Sequence, residues 1–331
     1  MKPHDIRHAP CAVWTIYSGL SASGRLHPWG GCDASSILAS PIISIFKYYF
    51  QFLWQMVVIT SSASHLLRGE KRLPVTVTRF KDGELYVKIH ETRLKHKRVT
   101  VIAGFQPPAD NLMELLLTLD GLRRLGARIR LIVTYFGYAR QDRTKPGEAL
   151  AAAVVCRMLR RYTDNITVID MHSKRLNKYI TYKNIVPITP FLPIIPAGTV
   201  IVAPDKGAIP RARHWQRALR APLVFLQKTR PVQDVAEILS IKGNVRGKNV
   251  LIVDDMIATG GTIIEAARVL KQHGANKIYV AATHGLFAGD ALKNLAQSPI
   301  SKIFVTNTLP QKKHPLLTVI PIDELIKQKR I

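Results

Sequence analysis

From Met56 onward the chain alternates short apolar runs with longer segments whose apolar residues recur at helical spacing. "MVVIT" is a compact apolar run, and "LPVTVTRF" and "ELYVKI" alternate in the period-2 fashion of strands. "RVTVIAGF" leads into the turn signal "QPPADN". In "NLMELLLTLDGLRRLG", Leu112, Leu115, Leu116, Leu119 and Leu122 fall on one side of a helix. Asp110 is the expected N-cap and Gly126 the expected stop. "RIRLIVTYF", "ALAAAVVCRMLRRY" and "NITVIDMH" continue as strand, helix, strand. A second series runs through "GTVIVAPD", "AIPRARHWQRAL", "PLVFLQK", "NVLIVDD", "TIIEAARVLKQHG", "KIYVAATHG", "AGDALKNLAQ" and "KIFVTNT". Strands that are apolar throughout, each followed by a helix, predict parallel sheets covered by helices on both faces. The fold class expected is α/β, with two such domains, 56–196 and 197–331, joined near "PFLPIIPAG".

Residues 1–36 lack this periodicity, and "ILASPIISIFKYYFQFLWQMVVIT", residues 37–60, is long enough to cross a bilayer but is interrupted by Pro41, Lys47, Gln51 and Gln55. Residues 1–55 are therefore expected to lie outside the folded body, as an extension preceding a start at Met56. Membrane attachment is not expected.

The formal net charge of +26 over 331 residues favours anionic partners. No zinc finger or RNP sequence accompanies it, so phosphorylated small molecules are preferred to nucleic acid. The three cysteines, Cys11, Cys32 and Cys156, offer neither a disulfide framework nor metal-ligand spacing, which suits a reducing cytoplasm. Cys156 is expected as a buried helix residue.

The stretch "NVLIVDDMIATGGTI", residues 249–263, carries the chemistry. Its apolar run is expected to end on Asp254 and Asp255, at the carboxyl end of a parallel strand where ligands of such sheets bind. The loop "ATGGT" then offers consecutive backbone N–H groups, threonine hydroxyls and a helix start, a set suited to phosphate. Carboxylates beside a phosphate would bind neutral hydroxyls or a metal. A sugar carrying both a phosphate and a vicinal diol satisfies both, and a pentose phosphate is the ligand suggested.

"VLIVDDMIATGGTI" resembles the phosphoribosyl pyrophosphate motif of phosphoribosyltransferases and of ribose-phosphate pyrophosphokinases. "RFKDGELYVKI", "DNLMELLLTLDGLRR", "YFGYARQDR", "IDMH", "APDKGAIPRAR", "QKTRPVQDVAEI" and "ATHGLFAG" resemble pyrophosphokinase segments in pyrophosphokinase order, from Met56 to the C-terminus. The resemblance implies two phosphoribosyltransferase-like domains and transfer of the β,γ-diphosphoryl group of MgATP to the 1-hydroxyl of ribose 5-phosphate. It places ribose 5-phosphate on Thr259, Gly260, Gly261 and Thr262, with Asp254 and Asp255 on its hydroxyls. It implies Mg2+ at His172 and Asp205, with Asp170 behind them. ATP would meet Phe80 at adenine, Asp82 and Glu84 at its polar groups, and Arg140 and Gln141. Lys228 and Arg230 match the cations of a mobile catalytic loop. The resemblance further implies a homo-oligomer in which the "FKDGE" loop reaches a neighbouring subunit.

The chain departs from that pattern at Ala258, where many relatives carry a further Asp, and at Lys206 and Ile209, where small residues are common. The "ARQDRTKPGEAL" segment is short, and the residues after His172, "SKRLNKYITYKNIVPITP", differ from the usual ones. Two other readings remain: a catalytically weak regulatory subunit, and a phosphoribosyltransferase, for which no base-binding hood is found.

Overall fold

The computed structural model describes residues 56–229 and 238–329. The expectations for residues 1–55, and the catalytic reading of Arg230, lie outside the described residues. Among the described residues no helix is long and apolar enough to cross a membrane.

Strands β1 (Met56–Ile59), β4 (Arg98–Gly104), β5 (Arg128–Tyr135), β6 (Ile166–Ile169) and β7 (Lys183–Ile185) form a five-stranded sheet in the order β1-β4-β5-β6-β7. All its neighbours run parallel. Between β1 and β4 the chain makes a separate antiparallel hairpin, β2 (Val75–Arg79) and β3 (Leu85–Ile89). Helices α1 (Asp110–Arg124) and α2 (Ala151–Arg160) follow β4 and β5.

The second sheet has seven strands. They are β8 (Val200–Ala203), β9 (Leu223–Thr229), β10 (Ile238–Lys242), β11 (Val250–Ile257), β12 (Ile278–Gly285), β13 (Lys302–Thr306) and β14 (Leu317–Ile320), ordered β10-β9-β8-β11-β12-β13-β14. Only β10 is antiparallel to its neighbour. Helices α3 (Ile209–Leu219), α4 (Gly261–Gln272), α5 (Ala291–Ala296) and α6 (Asp323–Lys329) complete the chain.

The α/β class is therefore observed, and its cause is visible in burial. β6 and β8 are buried at every position, and β4 at every position after its first, as parallel strands covered on both faces must be. On one face of the first sheet Val101, Val133 and Val168 pack with Leu115, Leu119 and Leu122 of α1 and Cys156 and Leu159 of α2. Cys156 is thus a core residue, and burial raises its thiol pKa to about 11. On the opposite face, Ile102, Ile132 and Ile169 meet Leu66 and Leu67, and also Ile322 and Ile326 at the far end of the chain. Asp323 fastens this closure by accepting the Leu67 N–H at 2.6 Å and the Asn307 side-chain amide at 2.8 Å. The second sheet carries α4 on one face, through Ile263, Ala266, Ala267 and Leu270, and α3 on the other, through Ala212 and Trp215.

Several expectations need correction. Asp110 is not the N-cap of α1; Ala109 holds that position, and the Asp110 carboxylate takes Arg79 of the hairpin at 2.6 Å instead. β11 does not stop at Val253: it continues through Asp254 and Asp255 to Ile257, because β12 pairs with it as far as Ile257 opposite Gly285. β7, β10, β14 and α6 were not among the predicted elements. β7, β10 and β14 are edge strands, half of whose neighbours are missing, so the apolar signal of a central strand is weak in them.

Candidate functional site

The predicted site residues of the two sheets follow the carboxyl ends of parallel strands: Arg140 and Gln141 after β5, His172 after β6, Asp205 after β8 and the "ATGGT" loop after β11. Sheet alternation sends Asp255 to the side of Leu251 and Val253, under α3, and Asp254 to the side of Ile252, under α4. The two acids therefore do not share one face, and their surroundings differ.

Asp255 is only 4% exposed. Its Oδ2 meets His172 Nδ1 at 2.8 Å, and its Oδ1 lies 3.6 Å from Arg211 Nη1. Burial alone would raise its pKa, but the His172 hydrogen bond and the Arg211 guanidinium reverse that and hold it below the usual carboxylate range. The bond to Asp255 in turn raises His172. Among the described residues no cation stands at contact distance from Asp254; burial and the charge of Asp255 raise its pKa above the usual carboxylate range. Its Oδ1 accepts the Asp255 backbone N–H at 2.9 Å.

Arg211 also donates to Asp170, from Nη2 to Oδ1 at 2.6 Å and from Nε to Oδ2 at 3.4 Å. Its own charge is reinforced: burial opposes it, yet Asp170 and Asp255 outweigh burial and raise its pKa. Asp170 is 2% exposed and sits at φ 49°, a left-handed backbone seldom adopted by a residue with a side chain. Thr283 Oγ1 donates to its Oδ2, the carbonyl of Ile185 accepts its N–H at 2.8 Å, and His284 Nε2 stands 3.4 Å from its carbonyl. Asp170 therefore has both carboxylate oxygens engaged inside the protein. Burial lowers the pKa of His284, whose Nδ1 stands 2.9 Å from Thr308 Oγ1.

The loop after β11 has the form that an anion site needs. Gly260 is the N-cap of α4 at φ 80°, and no side chain caps the helix. The first intrahelical bond runs from Ile264 N–H to the Gly260 carbonyl at 2.9 Å, so the N–H groups of Gly261, Thr262 and Ile263 precede it. Thr259, Gly261 and Thr262 are exposed, and a side chain at Gly261 would project into open space. A second loop braces this one: Leu286 and Phe287 donate to the Ile257 carbonyl and Ala288 to that of Ala258 at 2.9–3.1 Å.

The remaining predicted residues stand apart. Phe80, 56% exposed, makes an edge contact with Tyr86 at 5.6 Å. Asp82 and Glu84 are exposed, and Asp82 Oδ1 accepts the Glu84 N–H at 3.1 Å. Arg140 and Gln141 are exposed on the turn after Tyr138. The neighbouring Asp142 ties this turn to the segment after His172 by accepting Ser173 Oγ at 2.5 Å. Lys228 lies within β9, its backbone opposite Leu239, rather than in a loop. Asp205 is exposed and its Oδ1 accepts the Ala208 N–H at 2.9 Å. Among the described residues no three His, Cys, Asp or Glu side chains converge on one point. The bond of His172 Nδ1 to a carboxylate leaves Nε2 free, in the arrangement that orients a metal-binding imidazole.

Arg211, Thr283, His284 and Thr308 were not singled out from the sequence. Arg211 carried one signal: it falls four residues before Trp215 and three after Ala208, on the buried face of α3. A cation there requires acids opposite.

Comparison with known proteins gives the same direction for both sheets. Residues 58–162 match the family described as the N-terminal domain of ribose phosphate pyrophosphokinase, and residues 226–326 the phosphoribosyl synthetase-associated domain. The ribose-phosphate pyrophosphokinase of Pyrococcus furiosus is 38% identical over 267 residues, covering 77% of this chain and 94% of that protein. That of Chlorobaculum tepidum is 40% identical over 240 residues, covering 70% and 74%. Among solved structures, phosphoribosylpyrophosphate synthetase from Mycobacterium smegmatis superposes with a TM-score of 0.74 at 30% identity, covering 83% of this chain and 97% of that one. With identities of 30–40% over 74–97% of these relatives, the chain belongs to the ribose-phosphate pyrophosphokinase family.

Proposed function

We propose that this protein transfers the diphosphoryl group of MgATP to the 1-hydroxyl of ribose 5-phosphate, giving phosphoribosyl pyrophosphate and AMP. The observation that carries the reading is the exposed, uncapped start of α4 beside the half-buried Asp254 and the buried Asp255, in a chain similar over 77% of its length to a ribose-phosphate pyrophosphokinase. The N–H groups of Gly261 to Ile263 and the hydroxyls of Thr259 and Thr262 hold the 5-phosphate, and the helix start favours its charge. Asp254, whose pKa is raised by burial and by the Asp255 charge, offers its carboxyl group to a ribose hydroxyl. Asp255 is spent on His172 and Arg211, so its part is to hold those groups rather than to face the sugar openly.

The chemistry falls on the β-phosphorus, where catalysis consists of positioning and charge stabilisation. Lys228 and Arg230 supply cations for the transferred group. His172, through Nε2, and Asp205, through Oδ2, would hold Mg2+, which neutralises phosphate charge when bound. Phe80, Asp82 and Glu84, together with Arg140 and Gln141, hold the adenosine. Because Phe80 projects from the hairpin into solvent, we take its ATP to belong to a neighbouring copy in a homo-oligomer. Segments 56–196 and 197–331 act as the two functional halves, and the setting is cytoplasmic.

Purified protein incubated with MgATP and ribose 5-phosphate should form AMP, not ADP, only when the sugar phosphate is present, and Lys228→Ala should abolish it. Ribose 5-phosphate binding without AMP would instead identify a regulatory subunit.

A further inference from the structure

Resting on that reading, we propose that Arg211 is a positioning residue whose guanidinium, shared between Asp170 and Asp255, fixes the His172 imidazole across the junction of the two sheets. The four residues make a closed circuit. Asp170 and His172 leave the first sheet together, after β6, while Arg211 and Asp255 belong to α3 and β11 of the second. Arg211 holds Asp170 at 2.6 Å and lies 3.6 Å from Asp255; Asp255 holds His172 Nδ1 at 2.8 Å; the chain itself joins His172 back to Asp170. Arg211 and both acids are buried to the extent that their side chains are 12%, 1% and 5% exposed, whereas His172 is 35% exposed. The inward parts of the circuit are thus hidden from solvent and its open end is the imidazole.

Geometry assigns the direction of control. Asp170 cannot turn, because Thr283 and Arg211 engage its oxygens and its backbone is held by Ile185 and His284. Arg211 is therefore anchored on Asp170 and presents its other edge to Asp255 Oδ1, which leaves Oδ2 to His172. A planar guanidinium can face two carboxylates from separate edges; a lysine ammonium cannot do so with fixed geometry. Without Arg211 the Asp255 carboxylate loses one of its two partners, and the rotation of the His172 ring is no longer determined.

The test is made on the full-length protein with Arg211→Ala, Arg211→Lys and, as a control for loss of a buried hydrogen bond elsewhere, Thr199→Val, whose hydroxyl donates to the Pro196 carbonyl at 2.6 Å. Arg211→Ala is expected to lower kcat for AMP formation by about 10–100-fold with KM for ribose 5-phosphate little changed. Guanidinium ion, but not sodium chloride at the same concentration, should restore part of that kcat. Arg211→Lys should fall between, and Thr199→Val should keep the wild-type kcat despite lower stability. A second readout needs no turnover. With 15N-labelled histidine, the ring signals of His172, identified by their loss in His172→Gln, should move in Arg211→Lys and stay in place in Thr199→Val. If the signals do not move, or if Arg211→Ala loses no more kcat than Thr199→Val and gains nothing from guanidinium, the assignment is wrong. If the wild-type protein makes no AMP, the proposed reaction fails while the histidine signals still decide the role of Arg211.

Discussion

The hairpin tip and the circuit at the sheet junction are constructed in opposite ways. At the tip, Phe80, Asp82 and Glu84 stand in solvent, and their hydrogen bonds run to one another or to the adjoining turn. At the junction, Asp170, Arg211 and Asp255 are buried, and each binds residues 41 to 113 positions away in the chain. A local turn can be written in five consecutive residues and waits for something outside the chain. A buried circuit is complete within the chain and is written nowhere in consecutive residues.

The sharpest way to break this contrast is to remove a charge from each side. Asp255→Ala leaves Arg211 and His172 without their shared partner, and loss of one member of a buried ion pair costs about 3–5 kcal/mol. Denaturant unfolding should show a loss of that size, along with the loss of AMP formation. Phe80→Ala should do the reverse. It should weaken ATP use by about 2 kcal/mol, as for an aromatic anchor in an interface, and leave stability within about 0.5 kcal/mol. A stability loss at Phe80 comparable to that at Asp255 would erase the distinction.

A pH series sharpens it further, because the junction holds adjacent acids shifted in opposite directions. His172 and Asp254 bind protons more tightly folded than unfolded, so the stability they confer is full at low pH and is lost as pH rises, for Asp254 toward about 8. Asp255 acts with opposite sign: its contribution is present above the ordinary carboxylate range and is lost as pH falls through its depressed value. Stability should therefore decline from neutrality to mildly alkaline pH, by at most about 1.4 kcal/mol per pH unit for each proton released. Asp254→Asn should flatten that decline, and a change in the hairpin tip should not touch it.

The smallest effects concern the loop of α4, which shares features with both regions. Gly260 is buried at φ 80° with Leu295 side-chain atoms 3.1 Å from where a Cβ would stand, so Gly260→Ala should destabilise by about 1–2 kcal/mol. Gly261 faces open space, so Gly261→Ala should change thermal stability little and weaken ribose 5-phosphate binding, measured by calorimetry.

These contrasts explain what could be read in the sequence. β4, β6 and β8 announced themselves because burial on both faces demands unbroken apolar residues. The phosphate loop was legible because glycine, threonine and a helix start are adjacent in the chain. The opposed facing of Asp254 and Asp255 was not, since it depends on β12 extending the pairing beyond Val253. Arg211 could be noticed as a cation on an apolar helix face, but its two acid partners come from the end of β6 and from β11, and spacing in the chain says nothing of them. The segment after His172 likewise gave no sign that Ser173 would reach Asp142.

The packing of Ile322 and Ile326 against Ile102, Ile132 and Ile169 has a consequence for biosynthesis. During translation the first sheet emerges with this apolar face covered only in part, by Leu66 and Leu67, and the segment of Ile322 and Ile326 is made after the whole second sheet. At typical elongation rates that interval is on the order of ten seconds. Throughout it the nascent chain presents a sticky surface that a chaperone could hold, and emergence of Ile322 and Ile326 is what lets the face be sealed.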